Sequence, residues 1–209
     1  MSKILITRHG ETNYNLEYRM QGNEDGSHLT ELGERQAEAL GRRLLGMQIP
    51  LEKIYSSDLK RARQTTEIIL KHLGEIPVEY LEILREKDNG DWAKKLAVEI
   101  NWDELEGDFE TRRSQNGENL IEVRERGREF LTNLMEKYKG SKDSVLVVSH
   151  AALFKVSIGD LLGMSLYDSV FKLFIDHCSL TELEIDNQYR EGYRVNFIND
   201  ISHLQIVKK

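Results

Sequence analysis

The sequence predicts an α/β fold, a three-layer α/β/α sandwich with a mostly parallel central sheet and a small helical insertion near its functional site. Three observations carry this. Short aliphatic and β-branched runs alternate with longer amphipathic stretches, the order that yields a parallel sheet covered on both faces. Three of those runs end in residues suited to chemistry: Arg8-His9-Gly10, Ser56-Ser57 leading to Arg61, and Ser149-His150. Finally, 209 residues with 39% hydrophobic and 31% charged content suit one domain spanning 1–209 with a sizeable core.

The elements follow in order. Lys3–Thr7 reads as a buried strand. Thr30 suits a helix N-cap, with Glu31 and Glu34 in the first turn at the positive end of the helix dipole. Ala37, Leu40 and Leu44 then fall on one face. Lys53–Ser56 is a second strand, followed by Asp58 as cap and a helix with Ala62, Thr66, Ile69 and Leu73 on one side. Val78–Leu81 is a third strand. Asp88 to Asn116 has weak periodicity, many charges and both tryptophans, Trp92 and Trp102, and reads as an insertion over the core (approximately 88–116). Helix returns over Glu118–Tyr138, with Leu120, Val123, Phe130 and Leu134 as its stripe. Ser144–Ser149 is a strand and Ala151–Leu162 the helix after it. Two last strands, near Ser179–Ile185 and Tyr193–Ile198, flank a polar turn.

Composition excludes several functions. No run reaches the roughly 18 apolar residues of a membrane span. The hydrophobic run Ile4, Leu5 and Ile6 is broken by Thr7 and Arg8, too short for a signal peptide. The single cysteine, Cys178, excludes an internal disulfide framework and fits a reducing, cytoplasmic setting. A net charge of −7 argues against nucleic-acid binding, which needs a basic face. It also means that an anionic substrate would require a locally cationic pocket, built from converging Arg and His.

In parallel sheets ligands bind beyond the carboxyl ends of the strands, where Arg8, His9, Arg61 and His150 fall. Arg8 offers a planar, permanently charged fork suited to phosphate. Gly10 lets the backbone come close to a ligand. Arg61 lies in the first turn of a helix, where free N–H groups already favour an anion; read alone, it is a solvated arginine offset by Asp58. His150, read alone, is a satisfied polar residue; paired with His9 at a shared sheet edge it reads as a second phosphate ligand.

Arg8-His9-Gly10-Glu11-Thr12, with Asn15 after it, resembles the opening signature of the histidine phosphatase superfamily, which includes the cofactor-dependent phosphoglycerate mutases. Arg19-Met20-Gln21-Gly22, Leu29-Thr30-Glu31-Leu32-Gly33 and Gln36-Ala37 are similar to the next segment. Ser56-Ser57-Asp58-Leu59-Lys60-Arg61-Ala62 resembles the second arginine motif, Leu84-Arg85-Glu86 with Gly90 and Trp92 the acid-bearing segment, and Val147-Val148-Ser149-His150 the second histidine motif. The motifs fall in family order and cover most of the chain.

The resemblance implies His9 as nucleophile and Glu86 as proton donor. It implies Arg8, Arg61 and His150 as holders of the phosphoryl oxygens, with Asn15, Gln21 and Gly22 near the substrate. Phosphoryl transfer passes through a loose transition state, so catalysis is chiefly positioning and charge stabilisation. Two guanidiniums and an imidazolium supply this with no metal and no bound cofactor, and a histidine nucleophile divides one displacement into two. Two glycines commonly follow the second histidine in this family, whereas here they are Ala151 and Ala152; Ala93-Lys94 and Asn119 are further departures. Arg112 and Arg113 suit a substrate carboxylate or, equally, the acidic stretch 104–110.

Other chemistries lack their residues. A cysteine phosphatase needs arginine six positions after its cysteine, and that position is Glu184. Neither a Gly-Lys dipeptide, an Asp-x-Asp nor a compact zinc spacing occurs. His28, His72, His177 and His203 read as structural or surface residues, and Cys178 as a small core residue. The expectation is hydrolysis of a small phosphorylated metabolite through a phosphohistidine, favoured by the compact stretch from Glu86 to Glu118. Mutase-type phosphoryl transfer is the second enzyme reading. A phospho-ligand-binding protein without turnover is the reading from another class, although none of Arg8, His9, Arg61, Glu86 or His150 is missing. A membrane partner is not expected, and homodimerisation rests on family analogy alone.

Overall fold

The computed structural model describes residues 1–205 and 207, with the side chain of Glu104 outside the description. Six strands form one sheet in the order β3-β2-β4-β1-β5-β6: β1 Ser2–Arg8, β2 Leu51–Ser57, β3 Val78–Leu81, β4 Ser144–Ser149, β5 Leu180–Ile185 and β6 Tyr193–Asp200. The first four run parallel, while β5 and β6 pair antiparallel at one side. Helices α2 (Glu31–Met47) and α3 (Lys60–Leu73) cover one face, and α4 (Leu120–Tyr138), α5 (Ala151–Leu161) and α6 (Leu166–Lys172) the other. A single turn, α1 (Asn13–Leu16), follows β1.

The central strands are apolar on both sides because both faces are covered. Along β1, Ile4 and Ile6 join Leu131, Leu153 and Val156 in one core, and Leu5 joins Leu40, Leu44 and Ile69 in the other. In β4, Val145 and Val147 face the first core, and Leu146 and Val148 the second. The chain leaves neighbouring strands β1 and β4 toward helices on opposite faces. A crevice opens where their directions part, at the carboxyl edge of the sheet.

Thr30 caps α2 as expected, its hydroxyl accepting from the Gly33 N–H at 3.0 Å. Asp58 does not cap α3. The cap position is Leu59, and Asp58 instead receives Arg85 bidentately, Nε at 2.8 Å and a terminal nitrogen at 2.5 Å. The arginine also holds the Asp58 carboxyl below its ordinary range. The expected helical insertion consists of three 3-10 turns, Gly90–Trp92, Ala97–Glu99 and Trp102–Glu104. Helix α6 has too few residues to announce itself by periodicity. Among the described residues no helix is long and apolar enough to cross a membrane.

Candidate active site

The register of β1 and β4 pairs Arg8 with Ser149, and the His9 N–H continues the ladder by donating to the Ser149 carbonyl at 3.0 Å. That pairing carries His9 and His150 off adjacent strand ends with ring centroids 5.1 Å apart. Both rings are buried, His9 at 2% exposure. Nδ1 of His9 lies 2.7 Å from the Gly10 carbonyl. A carbonyl only accepts, so Nδ1 carries the proton and Nε2 keeps its lone pair, the tautomer a nucleophile requires. Burial drives the His9 pKa well below the ordinary imidazole value, and the neighbouring Arg61 guanidinium, then His150 and Arg8, act in the same direction.

His150 differs from the expected imidazolium. Arg61 Nε donates to its Nδ1 at 3.2 Å, and a guanidinium has no lone pair to offer in return. The proton of His150 therefore sits on Nε2, 2.8 Å from the Ser57 hydroxyl. The ring is a neutral donor, and burial, then Arg61 and Arg8, hold its pKa well below the ordinary value.

Arg61 is 1% exposed. Its terminal nitrogens donate to the carbonyls of Gly22 at 2.7 Å and Glu24 at 3.0 Å, which ties the 22–24 loop to α3. Burial lowers its pKa to about 10 against the opposing pull of Glu86. The Asp58 offset expected for a solvated arginine is absent. The Lys60 N–H at the start of α3 is taken by the Asp25 carboxylate. Arg8 donates one terminal nitrogen to the Ile175 carbonyl at 3.0 Å, while its buried Nε has no partner.

Gly10 has a packing role: a Cβ there would lie 2.5 Å from the Gly33 carbonyl oxygen at the start of α2. Gly22 adopts φ +54°, and a Cβ would meet the Asn89 nitrogen at 2.7 Å. Asn15 Oδ1 accepts from the Thr12 N–H at 3.1 Å, the Thr12 hydroxyl at 2.8 Å and His177 Nε2 at 3.0 Å. Three donors on one oxygen fix the amide orientation. The Gln21 side-chain oxygen lies 3.1 Å from the same Thr12 hydroxyl.

His177 thus belongs to the site and is not a remote structural residue. Its ring is 5.8 Å from that of His9, and burial, with Arg8 behind it, depresses its pKa to about 3. The bridge between Arg8 and His177 brings it there. Sequence alone offers no signal for it, because it lies in the turn before β5 and not at the end of a parallel strand.

Glu86 meets the amino end of α5, accepting from Ala152 N–H at 3.0 and 3.2 Å and Leu153 N–H at 3.3 Å. These are backbone donors, so alanine serves where glycine is common. A second unexpected residue, Arg126 on α4, secures this segment. It binds Glu118 bidentately at 2.8 and 2.9 Å and donates to the carbonyls of Ile83, Arg85 and Glu86 at 2.9, 2.7 and 3.0 Å.

A cavity of about 580 Å³ opens above these groups, with Arg8, Asn15, Gly22 and Glu86 along its floor. The side chains of His9, Arg61 and His150 lie behind that floor, outside the lining. Among the described residues six basic ones line it, Arg8, Arg19, Lys87, Arg112, Arg113 and Lys155, against the carboxylate of Glu86. On a chain of net charge −7 this is the local reversal that an anionic substrate requires. Arg113 pairs with Glu122 at 2.7 Å, whereas Arg112 lies over the rings of Phe109 and Trp102, 5.4 and 5.8 Å from their centroids. Among the described residues no group of three or more His, Cys, Asp or Glu side chains is placed to hold a metal. Buried Cys178 has its thiol pKa pushed up by burial.

This arrangement has known counterparts. The chain is 32% identical to the "Probable phosphoglycerate mutase GpmB" of Salmonella arizonae, with 98% of this chain and 95% of that protein covered. Among solved structures it is similar to Bacillus stearothermophilus YhfR (30% identity, TM-score 0.84, 98% and 100% covered). It is also similar to the phosphoserine phosphatase of Entamoeba histolytica in complex with 3-phosphoglyceric acid (26% identity, TM-score 0.79, 98% and 100% covered). Residues 4–200 match the Histidine phosphatase superfamily (branch 1), and with the motif order and the paired strand-end histidines this makes the chain an enzyme of that superfamily.

Proposed function

We propose that this enzyme transfers the phosphoryl group of a small, carboxylate-bearing phosphomonoester of the phosphoglycerate type onto His9 and from there to a second acceptor. The observation that carries the reading is a cavity lined, among the described residues, by six basic side chains and the carboxylate of Glu86, in front of a neutral histidine whose Nε2 keeps its lone pair. His9 Nε2 attacks phosphorus. Arg8 and Arg61 balance the charge on the equatorial oxygens, and His150 turns its Nε2 proton from the Ser57 hydroxyl, where it rests at 2.8 Å, to one of them, its neutrality sparing a third buried charge. Glu86 delivers a proton to the departing oxygen and recovers it when the acceptor is deprotonated. Arg112, over its two rings and with no carboxylate partner among the described residues, is the cation for the substrate's own carboxylate.

Transfer to a substrate hydroxyl, as in a mutase, is the first reading. The compact stretch from Glu86 to Glu118 does not argue against it, since the mutase-named GpmB is covered over 95% of its own length. Hydrolysis is the second reading, supported by the likeness to the phosphoserine phosphatase. The experiment is to incubate the protein with 3-phosphoglycerate, with and without 2,3-bisphosphoglycerate, and measure 2-phosphoglycerate against inorganic phosphate. Isomerisation that exceeds phosphate release supports the mutase; phosphate alone supports the hydrolase. EDTA is expected to leave the rate unchanged and vanadate to inhibit. Loss of either product with chelator and recovery with Mg²⁺ overturns the mechanism.

A further inference from the structure

The cavity is larger and less polar than a phosphoglycerate needs. A three-carbon phosphate has about 11 non-hydrogen atoms and, even at a liquid-water share of ~30 Å³ each, fills only about 330 Å³. The available 580 Å³ lies within the range of about 300–1,000 Å³ that much larger ligands occupy. Besides the phosphate floor, segment 88–116 and α6 contribute an apolar lining to the same cavity: Trp92, Trp102, Leu105, Phe109 and Phe171.

Phe109 is partly buried against the core, whereas Trp102 and Phe171 leave ring surface open. Trp92 and Trp102 meet edge to face at 5.2 Å, and Phe109 and Phe171 have centroids 5.4 Å apart. Trp102 is nonetheless 46% exposed and Phe171 56% exposed. Apolar surface left in water beside a charged pocket is costly unless something covers it. Arg112 lies over Trp102 and Phe109 and adds a flat cationic plane to the same wall. The wall is continuous with the phosphate floor, so one molecule can touch both.

We infer that the cavity holds a second subsite for an aromatic ring, and that beside phosphoglycerate-type esters the enzyme also acts on phosphomonoesters whose alcohol carries such a ring a few bonds from the phosphate. The inference rests on the reading above for the phosphate end only; the ring contact stands on the Trp102, Phe109 and Arg112 wall. A ring there gains burial and edge-to-face or stacked contact, and any negative charge on it meets Arg112.

Propyl phosphate and 3-phenylpropyl phosphate make the comparison. Their leaving alkoxides are chemically alike, so a difference in kcat/KM reads the ring and not the chemistry. Wild-type protein is expected to favour the phenyl ester by about tenfold or more, the scale of burying one ring. That ratio should collapse toward one in Trp102→Ala and be largely retained in Trp102→Phe. The same pair is titrated calorimetrically into His9→Ala protein, where no turnover is needed, with the same ratio expected in Kd. A wild-type ratio near one overturns the subsite while leaving phosphoryl transfer standing. A high ratio that Trp102→Ala does not change overturns the wall as its location. If neither ester is turned over, the catalytic reading fails and the Kd ratio alone decides the subsite: a ratio near one sinks it.

Discussion

The floor and the roof of the cavity are built by different means. Directly behind the floor and supporting it, His9, Arg61 and His150 are at most 2% exposed and cross-linked by hydrogen bonds to strand ends, helix starts and loop carbonyls. In the roof, segment 88–116 offers half-exposed rings on 3-10 turns. Fixed donors lower a charged transition state because they need not reorganise. Adaptable apolar walls bind the ground state and the transition state about equally. The difference teaches that changes to the floor should appear in kcat, and changes to the roof in KM.

The largest expected effect is on the floor. His9→Ala should reduce turnover by about 10³-fold or more, since it removes the covalent route itself. Trapping at alkaline pH, where an N–P bond survives, should find phosphate on His9 of the wild type by peptide mapping. Turnover of the alanine variant within tenfold of wild type would falsify the assignment.

Glu86 tests the border between the two regions. An acid matters in proportion to how basic its leaving group is. Glu86→Gln should slow phosphohistidine formation from an alkyl phosphate by about 10²-fold and from a nitrophenyl phosphate much less. Single-turnover kinetics separate that step from the following one. Equal losses on both esters would mean that Glu86 only positions. The proton donor would then be sought among the carboxylates of the roof, beginning with Asp88 and Asp91.

A roof substitution should behave otherwise. Arg112→Ala is expected to raise KM for 3-phosphoglycerate about tenfold, the scale of one exposed charge-assisted contact, with kcat changed little. A fall in kcat without a change in KM would place Arg112 with the floor and erase the contrast.

The same division explains what the sequence makes legible. Arg8, His9 and His150 are readable because each ends a strand whose aliphatic run is plain, and Arg61 because it opens a helix with a clear apolar face. The antiparallel β5 and β6 are visible as strands, but their direction depends on pairing, which a local pattern does not carry. Asp58 looks like a cap because asparagine, aspartate and serine favour that position. Its bidentate partner Arg85 lies 27 residues on and wins it away. Arg126 and His177 are hidden for a related reason. Each acts through bonds of long sequence separation, to the carbonyls of 83–86 and to Asn15 respectively.

His177 supplies the smallest expected effect and confines it to the floor, since segment 88–116 contains no histidine. The ring is held neutral, its pKa depressed to about 3 by burial and then by Arg8. In the unfolded chain it titrates near the ordinary 6.5. As pH falls below that value the unfolded state takes up the proton first. The contribution of His177 is therefore complete above about pH 6.5 and is lost progressively toward pH 3. By linkage the loss from this one group is about 1 kcal/mol between pH 6.5 and 5.5. His9 and His150 add slopes of the same sign, so the wild type alone cannot isolate the term. His177→Gln keeps an N–H donor for Asn15 Oδ1 and removes the titration. Urea unfolding of both proteins at pH 7.5, 6.5 and 5.5 should then give a variant that loses about 1 kcal/mol less over the lower interval. Parallel acid profiles would mean that His177 binds its proton equally in the folded and unfolded states. The three-donor lock on Asn15 would then not hold in solution.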